Sequence, residues 1–195
     1  MKLRQLFEEP RTAVMAFGRM NPPTIGHEKL IKICADVARQ NHCDYQIYLS
    51  NSNDKKKNPL DPQTKIKLVR KMFTTHAEHI HVDREISNPF KLLAKFNGEY
   101  DDVIWVAGGE DAAKYDESFH KHMKTETPDF YYRSLVVHSS GERSADAEGA
   151  AGISATKMRN FALQSDFNSF RSGMPNTITD DECRKVMKKI RDYML

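Results

Sequence analysis

The 195-residue chain has few cysteines, no long apolar run and little excess charge, and each shortage excludes a class of protein. Its three cysteines lack the spacing of a metal site, so we expect reduced thiols. No apolar run reaches the length of a membrane span, and residues 1–9 lack the apolar region of a secretory signal. A formal net charge of +3 is too small to indicate nucleic-acid binding by itself. These features predict a cytoplasmic globular protein that does not enter a membrane.

Strand-like and helix-like segments alternate along the chain, which predicts βαβ units around a parallel sheet. We therefore expect an α/β fold, a Rossmann-like doubly wound sheet of about five strands with a helical C-terminal end. One domain is expected over residues 1–195, with its core in 1–171 and a C-terminal helix in 172–195. The predicted strands are Thr12–Phe17, Tyr45–Ser50, Ile80–Ile86, Val103–Ala107 and Tyr132–His138. The predicted helices are His27–Arg39, Lys65–Phe73, Pro89–Phe96, Ala155–Gln164, Phe167–Arg171 and Asp180–Met194.

The segment Gly18–His27 (GRMNPPTIGH) connects the first predicted strand to the first predicted helix. Gly18 allows backbone amides to approach an anion closely. Gly26 and His27 stand where the unpaired N–H groups and the positive dipole end of a helix point outward. Because ligands of such sheets bind beyond the carboxyl ends of the strands, this turn is a candidate phosphate site. Alone, it would also fit an ordinary turn before a helix.

A second segment, Ile153–Arg159 (ISATKMR), places hydroxyls and cations at another predicted helix start. Together the two segments resemble the signatures of the nucleotidyltransferase superfamily, which includes the nicotinamide-mononucleotide, phosphopantetheine and related adenylyl- and cytidylyltransferases. The signature His-x-Gly-His or Thr-x-Gly-His matches Thr24-Ile25-Gly26-His27, and Ile-Ser-x-Thr-x-x-Arg matches at Ile153, Ser154, Thr156 and Arg159. The resemblance extends from about Val14 to Arg171.

The resemblance implies that an acceptor phosphate attacks the α-phosphorus of a nucleoside triphosphate and that pyrophosphate leaves. His27 would hydrogen-bond the α-phosphate, and Thr24 would donate a hydroxyl where other members have a histidine. Ser154 and Thr156 would contact the β- and γ-phosphates, and Arg159 would add a charge-assisted contact. The remaining residues of the phosphate-binding turn would be Gly18, Arg19, Met20 and Gly26. Mg²⁺ is expected to bind through the substrate phosphates, without dedicated metal ligands.

Two further segments follow the second and fourth predicted strands. The run Lys55–Lys57 is similar to the family's Lys-Lys-Pro-Leu element, in which either Lys55 or Lys57 would reach the phosphates, although lysine runs are also typical of solvated loops. The run GGED ends in Asp111 and looks like the Gly-x-Asp element of nicotinamide-mononucleotide adenylyltransferases. Gly108 would allow a ligand close to the backbone, and Asp111 would accept hydrogen bonds from ribose hydroxyls. The same residues equally fit a plain turn at a helix start.

We therefore expect transfer of a nucleoside monophosphate from ATP, or from CTP, to a small phosphorylated acceptor, with nicotinamide mononucleotide as the first acceptor to test. The alternatives are a cytidylyltransferase acting on a sugar or alcohol phosphate and a non-catalytic nucleotide-binding or assembly protein. Nucleic-acid binding would rest only on Lys55–Lys57 and the basic last helix. The apolar residues of that helix instead favour packing on the domain or on a partner subunit, so a homo-oligomer stays open. The loop Ser139–Gly152, rich in small residues, is expected to close over the site.

Overall fold

The computed structural model describes residues 9–141 and 153–195, and in these ranges five strands form one all-parallel sheet in the order β3-β2-β1-β4-β5. The strands are β1 (Thr12–Gly18), β2 (Asp44–Leu49), β3 (Ile80–Val82), β4 (Asp102–Ala107) and β5 (Ser134–Ser139). The central strand β1 pairs with β2 up to Gly18–Leu49 and with β4 up to Met15–Trp105. The predicted Rossmann-like α/β fold is confirmed.

Helices cover both faces of this sheet. They are α1 (Glu28–Gln40), α2 (Pro62–Met72), α3 (Pro89–Lys95), α4 (Gly109–Met123), α5 (Ala155–Leu163), α6 (Phe167–Ser172) and α7 (Asp180–Met194), with 3₁₀ turns at Ile25–His27 and Thr74–His79. In β1, Val14 and Ala16 belong to one core while Ala13 and Met15 belong to the other, and all four are fully buried. Burial on both faces explains why β1 is a continuous apolar run rather than an alternating one.

The larger core joins the sheet to the helices that carry the two signature segments. The predicted apolar stripe of α1 is confirmed at Ile31, Cys34 and Ala38, all of them buried. Helix α7 buries Cys183 and Ile190 in this same core, so it packs on the domain, which is one of the two predicted alternatives. The smaller core, on the opposite face, is rich in aromatic rings from β4, α3 and α4. None of the helices in the described ranges is both long and apolar enough to cross a membrane.

Several element boundaries differ from the predicted ones for identifiable reasons. The third strand ends at Val82, not at Ile86, because the Asp83 carboxylate accepts a hydrogen bond from the Glu85 amide at 2.8 Å and turns the chain. Helix α2 begins earlier than predicted because Asp61 caps it and Pro62 occupies its first turn. Helix α4 has no counterpart among the predicted helices. Of the predicted loop Ser139–Gly152, residues 142–152 lie outside the described residues.

Candidate functional site

The segments selected from the sequence follow strands at the carboxyl edge of the sheet. Gly18 ends β1, Ser50 follows β2 and Gly108 follows β4. The strand order reverses at β1: β2 and then β3 lie on one side of it, and β4 and then β5 lie on the other. The carboxyl ends of β1 and β4 therefore flank the crevice in which open α/β sheets bind their ligands.

The turn after β1 is fixed by contacts to the protein itself. Met20 buries its side chain in the larger core and has a φ of 41°, so a ligand contact from Met20 would have to come from its backbone. Asn21 is buried and exchanges two hydrogen bonds with Leu60: its Nδ2 donates to the carbonyl oxygen at 2.8 Å, and the Leu60 amide donates to its Oδ1 at 2.9 Å. Arg19, between Gly18 and Met20, is exposed. The hydrogen bonds between Asn21 and Leu60 join this turn to residues 51–60, which we call the lysine loop.

Thr24 orients the imidazole of His27. The Thr24 amide donates to His27 Nδ1 at 2.9 Å, and the Thr24 hydroxyl oxygen lies 3.0 Å from the same nitrogen. A neutral imidazole that accepts at Nδ1 carries its proton on Nε2. Thr24 is buried, whereas His27 is half-buried and Gly26 is exposed. The 3.0 Å separation shows that the hydroxyl of Thr24 faces the ring. The arrangement therefore places the ring proton of the neutral imidazole on Nε2.

Arg159 connects three segments that are far apart in the sequence. Its Nη1 donates to the carbonyl oxygens of Asn21 at 2.8 Å and of Lys57 at 3.3 Å, and its Nη2 donates to Thr156 Oγ1 at 3.0 Å. One guanidinium thus contacts the turn after β1, the lysine loop and the start of α5. The segments Gly18–His27 and Ile153–Arg159 therefore meet at this side chain.

The electrostatic surroundings of Arg159 favour an anion. Desolvation by burial lowers the pKa of Arg159, and the positive charge of Arg19 lowers it further, while Asp54 opposes both effects. Two guanidinium groups therefore repel each other at the edge of the crevice. A bound phosphate would relieve this repulsion.

The lysine loop is a hydrogen-bonded turn that leaves its lysine side chains in solvent. Asp54 Oδ1 accepts from the amides of Lys56 at 2.9 Å and Lys57 at 2.8 Å, and its Oδ2 accepts from the side chain of Asn58. The hydrogen bond from Asn58 is the largest cause, followed by the one from Lys57, that lowers the pKa of Asp54 to about 2. The side chains of Lys55, Lys56 and Lys57 are all exposed. The Lys57 carbonyl oxygen, 3.3 Å from Arg159 Nη1, brings this loop beside the guanidinium.

The start of α5 presents donors next to Arg159. Ser154 is the N-cap residue, and its hydroxyl accepts from the Lys157 amide at 3.2 Å. Thr156 is exposed and contacts Arg159 through its hydroxyl. The positive dipole end of this nine-residue helix adds to the charge of the guanidinium.

Gly108 and Asp111 lie at the start of α4. Gly108 is the N-cap residue of α4, and a Cβ added there would meet no atom within 4 Å. Packing of the described residues therefore does not require a glycine at this position, and none of their atoms fills the space beside it. Asp111 is exposed and lies 3.9 Å from the ammonium of Lys114.

Three residues that sequence reasoning did not select support the site. Asn21 appeared only as part of a turn, although an asparagine between a β-strand and two prolines is a local signal for side-chain to backbone bonding. The carbonyl oxygen of Gly173 accepts from the Ile25 amide at 3.0 Å. Lys65 lies fully buried behind the end of β2. The contact of Gly173 with Ile25 and that of Lys65 with Ser50 join residues too distant in sequence for a local pattern to reveal them.

Within the described ranges, no group of three or more histidine, cysteine, aspartate or glutamate residues could bind a metal ion. A scan against protein-family models finds no match for the chain, and a search of the curated proteins finds no similar sequence.

Proposed function

We propose that this protein is a nucleotidyltransferase that transfers a nucleoside monophosphate from ATP, or from CTP, to a small phosphorylated acceptor. The observation that carries the proposal is the position of Arg159, whose guanidinium contacts Asn21, Lys57 and Thr156 at the ligand-binding edge of the sheet. That arrangement gives the two signature segments one common centre of positive charge.

In the proposed reaction, an oxygen of the acceptor phosphate forms a bond to the α-phosphorus of the triphosphate. The bond from the α-phosphorus to the oxygen that bridges to the β-phosphate breaks, and pyrophosphate leaves with that electron pair. Negative charge builds up on the transferred phosphate and on the leaving group, so fixed donors accelerate the step. His27 donates from Nε2 to a non-bridging oxygen of the α-phosphate. Thr24 positions the ring through its amide and hydroxyl.

The second signature segment, Ile153–Arg159, binds the β- and γ-phosphates. Arg159 stabilises the charge of the departing pyrophosphate, together with the hydroxyls of Ser154 and Thr156 and with Lys55 or Lys57. Gly18, Arg19 and Gly26 border the path of the phosphates. The substrate is the Mg²⁺ complex of the triphosphate, a form of binding that needs few protein ligands.

The open space at Gly108 and the exposed carboxylate of Asp111 support a sugar-binding role for the start of α4. Nicotinamide mononucleotide is the first acceptor to test. The charges of α7 weaken the case for nucleic acid, because Lys185, Lys188 and Lys189 each pair with a carboxylate, those of Asp181, Asp192 and Asp61 respectively. Cys34, Cys43 and Cys183 are free thiols, which supports the proposal of a cytoplasmic protein.

The proposal is tested by a screen for pyrophosphate release with ATP or CTP, Mg²⁺ and a panel of acceptors. The panel contains nicotinamide mononucleotide, sugar phosphates and alcohol phosphates. Release that requires an acceptor supports a transferase, and the effective acceptor decides between adenylyl and cytidylyl transfer. Triphosphate binding in calorimetry without release would favour the non-catalytic alternative. Neither release nor binding would contradict the proposal altogether.

A further inference from the structure

Lys65 is a charged residue in the interior of the larger core, on the second turn of α2. Its side chain is fully buried, and its ammonium donates to the carbonyl oxygen of Ser50 and lies 3.3 Å from the Ser50 hydroxyl. Among residues 9–141 and 153–195, no carboxylate pairs with it. A buried ammonium without a counter-ion is costly, and a methionine would fill a similar volume at a lower cost.

Ser50 transmits the position of Lys65 to the candidate site. Ser50 directly follows β2, is itself buried, and donates from its amide to the carbonyl oxygen of Gly18 at 2.8 Å. Gly18 is both the last residue of β1 and the first residue of the phosphate-binding turn. Two consecutive contacts therefore connect the ammonium of Lys65 to the start of that turn.

The ionisable groups on neighbouring elements leave the charge of Lys65 uncompensated. Asp61, at the start of α2, contacts Lys189 at 2.6 Å and Thr64. Asp54, in the lysine loop, accepts from backbone amides and from Asn58. The turn after β1 and helix α5 contribute the cations Arg19 and Arg159. Burial lowers the pKa of Lys65 to about 8, so the group is still largely charged at neutral pH.

We propose that Lys65 is a positioning residue of the phosphate site: its buried ammonium fixes Ser50, through Ser50 it fixes the start of the Gly18–His27 turn, and it adds a positive charge behind that turn. This inference rests on the proposed function for the identity of the ligand. The link between Lys65 and the turn is independent of the proposed function.

The test compares wild type, Lys65→Met and the matched control Lys67→Met, which alters an exposed lysine of the same helix. Affinity for inorganic pyrophosphate is measured by calorimetry from pH 7 to pH 10. We expect Lys65→Met to bind about tenfold more weakly at pH 7, the scale of one lost charge-assisted contact, and Lys67→Met to match wild type. The ratio of the wild-type to the Lys65→Met affinity cancels the titration of pyrophosphate itself. We expect this ratio to fall as pH rises above 8, because wild-type Lys65 then loses its charge.

A second readout is the amide spectrum of the ligand-free proteins, recorded by NMR over the same pH range. The amides of Ser50, Arg19 and Met20 should shift with a midpoint near pH 8 in wild type and in Lys67→Met, but not in Lys65→Met. Equal pyrophosphate affinity in wild type and Lys65→Met would overturn the inference. If wild type binds no pyrophosphate, the assignment of this turn as a phosphate site fails, and the amide titration alone decides whether Lys65 positions the turn. If Lys65→Met does not fold, the wild-type titration decides, and its absence overturns the inference.

Discussion

The Nη1 of Arg159 lies 2.8 Å from the carbonyl oxygen of Asn21, a residue 138 positions earlier in the chain. The two residues belong to the two segments that resemble nucleotidyltransferase signatures. Because the Asn21 side chain is bonded in turn to Leu60, the guanidinium rests on a framework of buried hydrogen bonds. A side chain held in this way loses little freedom when an anion binds to its remaining donors.

Replacing Arg159 by alanine should weaken triphosphate binding by about 1.5–3 kcal/mol, the value of a hydrogen bond to a charged group. Calorimetry with ATP and Mg²⁺ measures this change. Arg39→Ala is the matched control, since Arg39 is an exposed arginine of α1 that pairs only with Asp36 among the contacts described. An unchanged dissociation constant in Arg159→Ala would show that this guanidinium does not bind the triphosphate.

Replacing His27 by alanine should lower kcat by a factor of about 10²–10³ with little change in ATP affinity, because its donor acts mainly on charge that develops in the transition state. Thr24→Ala should cost less, since the backbone amide that donates to His27 Nδ1 is retained. Steady-state kinetics with the effective acceptor separates the two variants. Equal turnover in His27→Ala and wild type would remove His27 from the reacting centre.

The fold could be predicted from the sequence because its central strand β1 is a continuous apolar run buried on both faces, and because helices such as α1 have regular apolar stripes. Cys34, for example, falls on the apolar stripe of α1, and burial raises the pKa of its thiol to about 12, as expected of an inert core residue. Helix α4 was missed although its apolar residues Ala112, Tyr115, Phe119 and Met123 recur at helical spacing. Its many charged residues obscured that period.

The candidate site could be predicted only in part. Local patterns located the turn at Gly18 and the cap at Ser154, because glycines and capping hydroxyls act on their immediate neighbours. The supporting contacts join residues of distant segments, such as Asn21 with Leu60 and Lys65 with Ser50. No sequence period encodes such pairs, since they depend on how the sheet brings its loops together.

Two glycines provide a matched pair of substitutions. An alanine Cβ at Gly173 would lie 2.4 Å from the buried Sδ of Met158 and 3.0 Å from Ile153, so Gly173→Ala should destabilise the protein by about 1–3 kcal/mol. The Cβ of Gly108→Ala meets no atom of the described residues within 4 Å, so this variant should lose no more than about 1 kcal/mol, the cost of an alanine at an N-cap. Chemical denaturation measures both. If the two variants were equally stable, the close packing of Gly173 against α5 would be contradicted.

Gly108→Ala also tests the place of the ligand. We expect weaker substrate binding in this stable variant, because its new methyl group occupies the space beside Asp111 that we assign to the sugar. Calorimetry with ATP and with nicotinamide mononucleotide identifies which substrate is affected. Wild-type affinity for both would show that neither approaches Gly108.

The stability of the Lys65→Met variant should depend on pH differently from that of wild type. The pKa of Lys65, about 8 in the folded protein, lies below its ordinary value of 10.5. At pH values between these two pKa values, the unfolded chain binds more protons at Lys65 than the folded protein does. The titration of Lys65 therefore makes the free energy of unfolding of wild type rise with pH. The variant lacks that rise. Its stability relative to wild type should therefore fall by about 3 kcal/mol between pH 7 and pH 10.5.

Denaturant titrations at a series of pH values, with Lys67→Met as the control, measure this difference. Titration of all other groups is common to the three proteins and cancels in the comparison. A stability difference between Lys65→Met and wild type that stays constant over the whole range would show that Lys65 titrates normally in the folded protein.

The most direct test of the central claim follows the α-phosphorus of ATP by ³¹P NMR in a mixture of the protein, Mg²⁺ and nicotinamide mononucleotide. We expect a new phosphoanhydride signal that joins the adenylyl group to the acceptor phosphate, with one pyrophosphate released for each linkage, and a signal that grows about 10²–10³ times more slowly in the His27→Ala variant. If ATP and CTP both stay intact with this acceptor and with sugar and alcohol phosphates, the protein does not catalyse nucleotidyl transfer to them and the central claim is contradicted.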